Sequence, residues 1–295
     1  MKKILFILTL ALTLSCQKSN ESKEIPETSD STPATFTKER DAFFANLMAP
    51  AETAAQLQAT GADFNASLMS DPKAYSKHIG DSIKAAANLG IYLSDLNYSI
   101  AYKQNAASKE YFKAAHELSK SIGGETAALE FLSKRYNDNL KQNDSAKSIL
   151  TELLSKSTAD LQGTGREKLA GIAMGAHQIE SLHLALGTIE TYPKDMLPDD
   201  ARAVILIPIF KLVLSQKPNV ENIYNFLKSY DNTDAAGTNY SYYLNAFEEL
   251  IAVYSRLDVD EKIASNKGME LMNDSVVKEL NEKVDAIRNK ILSAE

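Results

Sequence analysis

From Thr37 onward the chain is punctuated too sparsely to be anything but helical. Only 12 glycines and 8 prolines are spread over 295 residues, and apolar–polar alternation of the strand type is hard to find. Apolar side chains recur instead in steps of three and four. That spacing predicts helices over 38–48, 51–60, 73–103, 106–122, 125–141, 144–160, 166–190, 199–216, 219–229, 240–257, 260–272 and 274–293. Asp71-Pro72, Asp144-Ser145 and Asp274 are start signals, each able to accept from free N–H groups of a first turn. Gly123-Gly124, Gly163-Thr164-Gly165 and Pro218-Asn219 mark turns. Ten to twelve consecutive helices on short loops fold as an all-α multi-helix bundle or an irregular α-solenoid. A tetratricopeptide-like array is the alternative. The stretch Ala87 to Gly123 has the right size for it, but its signature does not recur in register.

The N-terminus has a different character. Lys2 and Lys3 precede an apolar run from Ile4 to Leu14, which is too short for a permanent membrane span. Ser15 and Cys16 follow, and Cys16 is the only cysteine in the sequence. Leu12-Thr13-Leu14-Ser15-Cys16 resembles the lipobox of bacterial lipoproteins, with Thr13 where that pattern carries an aliphatic residue. The resemblance implies cleavage after residue 15, a diacylglyceryl thioether on Cys16 and an acylated amine. Two or more chains hold a protein stably where one does not. Gln17 stands where lipoproteins kept in the inner membrane carry Asp, which by resemblance points to the outer membrane. The mixed-charge stretch Gln17 to Glu24 leaves the membrane face undecided between periplasm and cell surface.

Residues 1–15 thus read as a lipoprotein signal, 16–38 as the lipidated cysteine with a flexible tether, and 39–295 as a single all-α domain. The tether is rich in Ser, Thr, Pro, Glu and Lys and carries almost nothing to bury. As a coil it reaches roughly 25 Å. The formal charge is −7, and removing Lys2 and Lys3 takes it to −9. Such a surface repels phosphate backbones, so nucleic acid is not an expected partner. The expected partners are outer-membrane lipid, through the acyl chains on Cys16, and an envelope protein. With its cysteine committed to lipid, the domain must be stabilised by its apolar core.

Three segments carry a further resemblance: Thr60-Gly61-Ala62-Asp63-Phe64-Asn65, Ala87 through Tyr98 (Ala-Asn-Leu-Gly-Ile-Tyr-Leu-Ser-Asp-Leu-Asn-Tyr), and Gly175-Ala176-His177-Gln178-Ile179-Glu180-Ser181-Leu182. Together they resemble a family of helical Bacteroidota lipoproteins over roughly residues 45–190 plus the signal. The resemblance implies a lipid-anchored, all-helical exported domain and no chemistry.

Few residues suggest a reactive site. Glu180-x-x-His183 puts a carboxylate and an imidazole on one helix face, where the pair could share a metal, with His177 a turn and a half earlier. Carboxylate di-metal bundles need a second such pair, and the chain has none. The bland reading is an amphipathic helix with its apolar side on Leu169, Ile172, Ala173, Ala176, Ile179 and Leu186 and its polar residues at the edge. Asp95 lies in an apolar helix three residues from Tyr92 and Tyr98. A buried carboxylate among tyrosine hydroxyls is either a functional acid or a structural network pinning two helices, and the second is the commoner case. Gly171-x-x-x-Gly175 reads as close packing. Gly163-x-Gly165 lacks a third glycine and a preceding strand, and neither a nucleophile elbow nor a P-loop is present. The sequence therefore assigns no catalytic residue, metal or cofactor. Asp95, Tyr98, Glu180 and His183 are the candidate ligand or network residues.

Three features concern packing. Ala203 to Leu214 is the most apolar internal run and reads as the central buried helix, bent at Pro208. Tyr224, Tyr230, Tyr240, Tyr242 and Tyr243 flank the polar stretch 231–239 and read as packing at its base. Val277, Leu280, Val284, Ile287 and Ile291 form a seam too short for a coiled coil, which is expected to lie on the domain. These expectations combine into a non-enzymatic, lipid-anchored binding or scaffold protein, with a metal or small-molecule site in the core as the alternative.

Overall fold

A computed structural model describes residues 53–124, 166–193, 198–230, 238–257, 261 and 274–293. The signal sequence, Cys16, the tether, the expected helices at 38–48, 125–141 and 144–160, almost all of that at 260–272, and the glycines at 163 and 165 lie outside them. Among the described residues the fold is all-α, with eight α-helices and no strand. They are α1 (Thr53–Ala59), α2 (Ser82–Ala101), α3 (Asn105–Ser121), α4 (Glu167–Thr191), α5 (Asp199–Leu214), α6 (Lys217–Ser229), α7 (Thr238–Tyr254) and α8 (Ser275–Leu292). All fall in one compact unit, Ala34–Glu295.

Two helices form the centre. α2 is buried on every side from Ala85 to Leu96, and α4 from Ala170 to Leu182. A helix covered all round has neighbours all round. α2 and α4 lie side by side and run the same way: Gly90 meets Ala173 and His177, Ser94 bonds Ser181 and Tyr98 reaches Thr188, with an Asn97–His177 hydrogen bond across the pair. α3 folds back on α2; α5, α6 and α8 pack on α4; α7 packs on α6 and α8. In a linear solenoid each unit would touch only its sequence neighbours. Here α8, the last helix, reaches both α2 and α4, so the arrangement is a bundle around a central pair.

Glycine permits the close approach of the central pair. A Cβ on Gly90 of α2 would stand 2.0 Å from the Ala173 carbonyl oxygen of α4. Gly171 and Gly175 do what their spacing suggests: the Phe226 ring of α6 lies over the first and the Phe247 ring of α7 over the second, 2.6 and 2.9 Å from where a Cβ would be. Every residue of the α8 seam is buried against the domain. Tyr230, Tyr240 and Tyr243 are buried as well, and the Tyr240 hydroxyl donates to the Leu227 carbonyl.

Three expectations need correction. The helix expected from 73 starts at Ser82. Two start signals stand ten residues apart, and the earlier, Asp71-Pro72, opens only a 3-10 turn over Pro72–Lys77. Asp81, after Gly80, caps the long helix by accepting from the N–H groups of Ile83 and Lys84 at 2.8 and 3.1 Å. Second, Pro218 lies inside the first turn of α6, where its missing N–H costs nothing, and the turn falls at Ser215-Gln216. Third, α5 is peripheral. It buries Leu206, Ile209, Phe210 and Val213 on one side, while Val204 is 72% exposed on the other. The exposed side also carries Pro208, and the helix runs through it unbroken.

Candidate functional site: a buried polar cluster between α2, α4 and α8

The polar residues of the two central helices are inside the molecule. His177, Gln178, Glu180 and Ser181 of α4 are at most 4% exposed, as are Asn88, Ser94 and Asp95 of α2. The amphipathic reading of α4 is therefore wrong: its polar residues face other helices. Burying such groups is costly unless each finds a partner, so their bonds define the site.

Asp95 is fully buried. Its Oδ2 accepts from the Ser70 backbone N–H at 3.0 Å and from the Ser70 hydroxyl. Tyr111 of α3 donates to the Ser70 carbonyl, and Tyr92 donates to the Asp71 carbonyl at 3.2 Å. The group thus pins the segment before α2 onto α2 and α3. Tyr98 serves a neighbouring part of that segment: its hydroxyl accepts from the Asn65 N–H at 2.9 Å and its ring stacks on Phe64 at 5.3 Å. Asp95 and Tyr98 are close in sequence but hold different stretches of chain.

Glu180 and His183 do share one face of α4, as their spacing requires, and α8 meets them with a matching pair. Arg288 grips the Glu180 carboxylate with two bonds, Nε to Oε2 at 2.6 Å and Nη2 to Oε1 at 2.9 Å. One turn away, His183 Nδ1 lies 2.6 Å from Asp285 Oδ1. The helices are antiparallel, so Glu180-x-x-His183 lies against Arg288 and Asp285 in reverse order. Both the guanidinium and the imidazole also reach the Leu68 carbonyl oxygen, Arg288 Nη2 at 3.0 Å and His183 Nε2 at 3.1 Å. Among the described residues no three His, Cys, Asp or Glu side chains are grouped to hold a metal. The two candidate ligands are instead engaged by α8.

Burial sets the electrostatics. It pushes the Asp95 carboxyl well above the usual carboxylate range, helped by the charge on Glu180 and opposed by the Ser70 bonds and Arg288. An acid that holds its proton more tightly when folded contributes stability in acid and loses it as the pH rises through its native value. Burial opposes the charge on Arg288, yet Glu180 outweighs it and keeps the guanidinium above its ordinary value.

His177 shows the opposite sense. Burial lowers it from 6.5 to about 4, so the ring is neutral at neutral pH. The Asn97 amide lies 3.2 Å from Nε2 and the Ser181 hydroxyl 3.4 Å from Nδ1. Asn97 Nδ2 can only donate, which leaves the ring proton on Nδ1. A histidine lowered on folding contributes stability that is whole above its unfolded value and is lost as pH falls. Denaturation midpoints are therefore expected to drop between pH 6.5 and 4 by the equivalent of about 3 kcal/mol from this residue. His177→Gln should flatten that limb; an unchanged slope in the variant would remove His177 as its cause.

Sequence reasoning missed Arg288, Asp285, Ser70 and the Ser94–Ser181 contact. A usable signal existed for the first two. Asp285-x-x-Arg288 is a charged i,i+3 pair on the edge of an apolar seam, complementary to Glu180-x-x-His183 if the two helices run antiparallel.

No family model matches the chain, and neither the curated proteins nor the solved structures give a significant match.

Proposed function

We propose that this protein is a lipid-anchored envelope lipoprotein whose helical domain binds or scaffolds a protein of an outer-membrane assembly, without catalysis of its own. The observation that carries the reading is Cys16, the lone cysteine, directly after a basic start and a short apolar run. The resemblance to helical Bacteroidota lipoproteins supports it. So does the way the polar core is spent: Glu180 and His183 have partners on α8, and Asp95 holds the segment before α2. Each of these side chains acts on the protein's own architecture, which weakens the alternative of a metal or small-molecule site in the core.

The test is fractionation and affinity purification from the native envelope beside Cys16→Ser. Wild-type protein is expected in the outer-membrane fraction, labelled by radioactive palmitate, with a stoichiometric protein partner. Cys16→Ser is expected to be unlabelled, to leave the membrane and to lose the partner. Unlabelled wild-type protein in the soluble fraction would overturn the anchor. Labelled protein recovered without a partner would overturn the scaffold role.

A further inference from the structure

Three segments meet at His183: α4, which carries it, α8, and the 3-10 turn Ala66–Leu68. Its Nδ1 lies 2.6 Å from Asp285 Oδ1 and its Nε2 3.1 Å from the Leu68 carbonyl oxygen. A backbone carbonyl can only accept, and so can an ionised carboxylate. A neutral imidazole has one N–H, so either tautomer can serve only one of these neighbours. The imidazolium has two and serves both.

The surroundings suit that charge. Asp285 faces the ring from α8, while Glu180 on α4 and Arg288 on α8 neutralise each other one turn away. Asp95 on α2, the remaining acid coupled to this pair, keeps its proton to higher pH than an ordinary carboxyl because it is buried. His177, six residues earlier on the same helix, makes the contrast. There a donor, the Asn97 amide, faces one ring nitrogen, which demands a neutral ring. The two histidines of α4 are thus built for opposite protonation states.

We propose that His183 is a pH-sensitive clamp: with both ring nitrogens protonated it ties α8 and the 66–68 turn to α4, and on losing one proton it lets go of one of them. The clamp closes in acid and opens as pH rises, and it does not depend on the anchor at Cys16.

Ring nitrogen chemical shifts of the 15N-histidine-labelled protein test it directly, with His183→Gln identifying the resonances. At about pH 6 both His183 nitrogens are expected in the protonated range, and at about pH 8.5 one of them is expected to have moved to the unprotonated range. The stability advantage of wild type over His183→Gln should shrink by roughly 3 °C in Tm across the same interval. Asp95 loses stability in the same direction, so the comparison is repeated with Asp95→Asn in both proteins, where the shrinkage should persist. A ring carrying a single proton at about pH 6 would overturn the proposal. So would a wild-type advantage that does not change with pH. Should His183→Gln fail to fold, His78→Gln, His116→Gln and His177→Gln identify the other three rings and leave the His183 resonances by elimination.

Discussion

Arg288→Ala is expected to destabilise the protein by about 3–5 kcal/mol, which for a domain of this size lowers Tm by roughly 10 °C. The cost comes from what the substitution leaves behind. Glu180 is completely buried, and both of its oxygens are held by the guanidinium. With alanine at 288 a carboxylate stays in a low-dielectric interior with no counter-charge, and the Leu68 carbonyl loses a donor as well. Removing both charges at once is a different experiment. Glu180→Leu with Arg288→Met replaces the pair by apolar groups of similar bulk and should recover most of the loss, because neither side chain then needs desolvating as an ion. Urea denaturation of Glu180→Leu, Arg288→Met and the double variant gives the coupling directly. A loss below about 1 kcal/mol for Arg288→Ala would show that water reaches Glu180. A double variant well below wild type, with little of the loss recovered, would mean that the pair is net favourable in itself.

That pair also shows where sequence reading stops. The periodicity of α4 puts Glu180 and His183 on one face, and the seam of α8 puts Val284 and Ile287 on the domain; both features are local. What Glu180 faces is decided by helices 108 residues apart, and no single-helix pattern contains that distance. The same holds for Asp95: its nearest tyrosines in sequence were the natural partners to suspect, but its donor is Ser70, in a segment that α2 and α3 hold between them. Helix ends were legible where the capping chemistry was explicit. Asp274 caps α8 by accepting from the Val276 N–H at 2.8 Å, and Gly123 at φ 83° closes α3. α2 closes with the same hydrogen-bond pattern, Gln104 N–H to the Ser99 carbonyl and Lys103 N–H to the Ile100 carbonyl, but with Lys103 at φ 60°. Lysine gives no warning of that conformation, so the expected end ran on to 103. α5 misled for another reason. A helix apolar on every face gives no periodic signal of which side is inside, and its composition suggested the centre of the fold, which the small and polar residues of α2 and α4 occupy instead.

Gly90→Ala is expected to have a still larger effect: loss of the folded state, or a destabilisation above about 4 kcal/mol. The added carbon would stand 2.0 Å from the Ala173 carbonyl oxygen and 2.8 Å from the His177 nitrogen, well inside contact distance. Both are backbone atoms in the middle of a buried helix, so no side chain can rotate away. The only relief is for α2 and α4 to separate. Separation would stretch the Ser94–Ser181 and Asn97–His177 hydrogen bonds and leave three buried polar groups, Ser94, Ser181 and His177, short of partners, so the clash does not stay local. Two other glycines calibrate the result. At Gly171 the obstruction is the edge of the Phe226 ring, a side chain that can shift, so Gly171→Ala should cost about 1–3 kcal/mol. At Gly61 nothing lies within 4 Å and only the left-handed backbone, φ +86°, resists a side chain, so Gly61→Ala should cost about 1–2 kcal/mol. Circular dichroism and urea midpoints of the three variants rank them. If Gly90→Ala proved no worse than Gly61→Ala, the backbone contact between α2 and α4 would have to be looser than described, and the register that places Glu180 and His183 opposite α8 would lose its foundation.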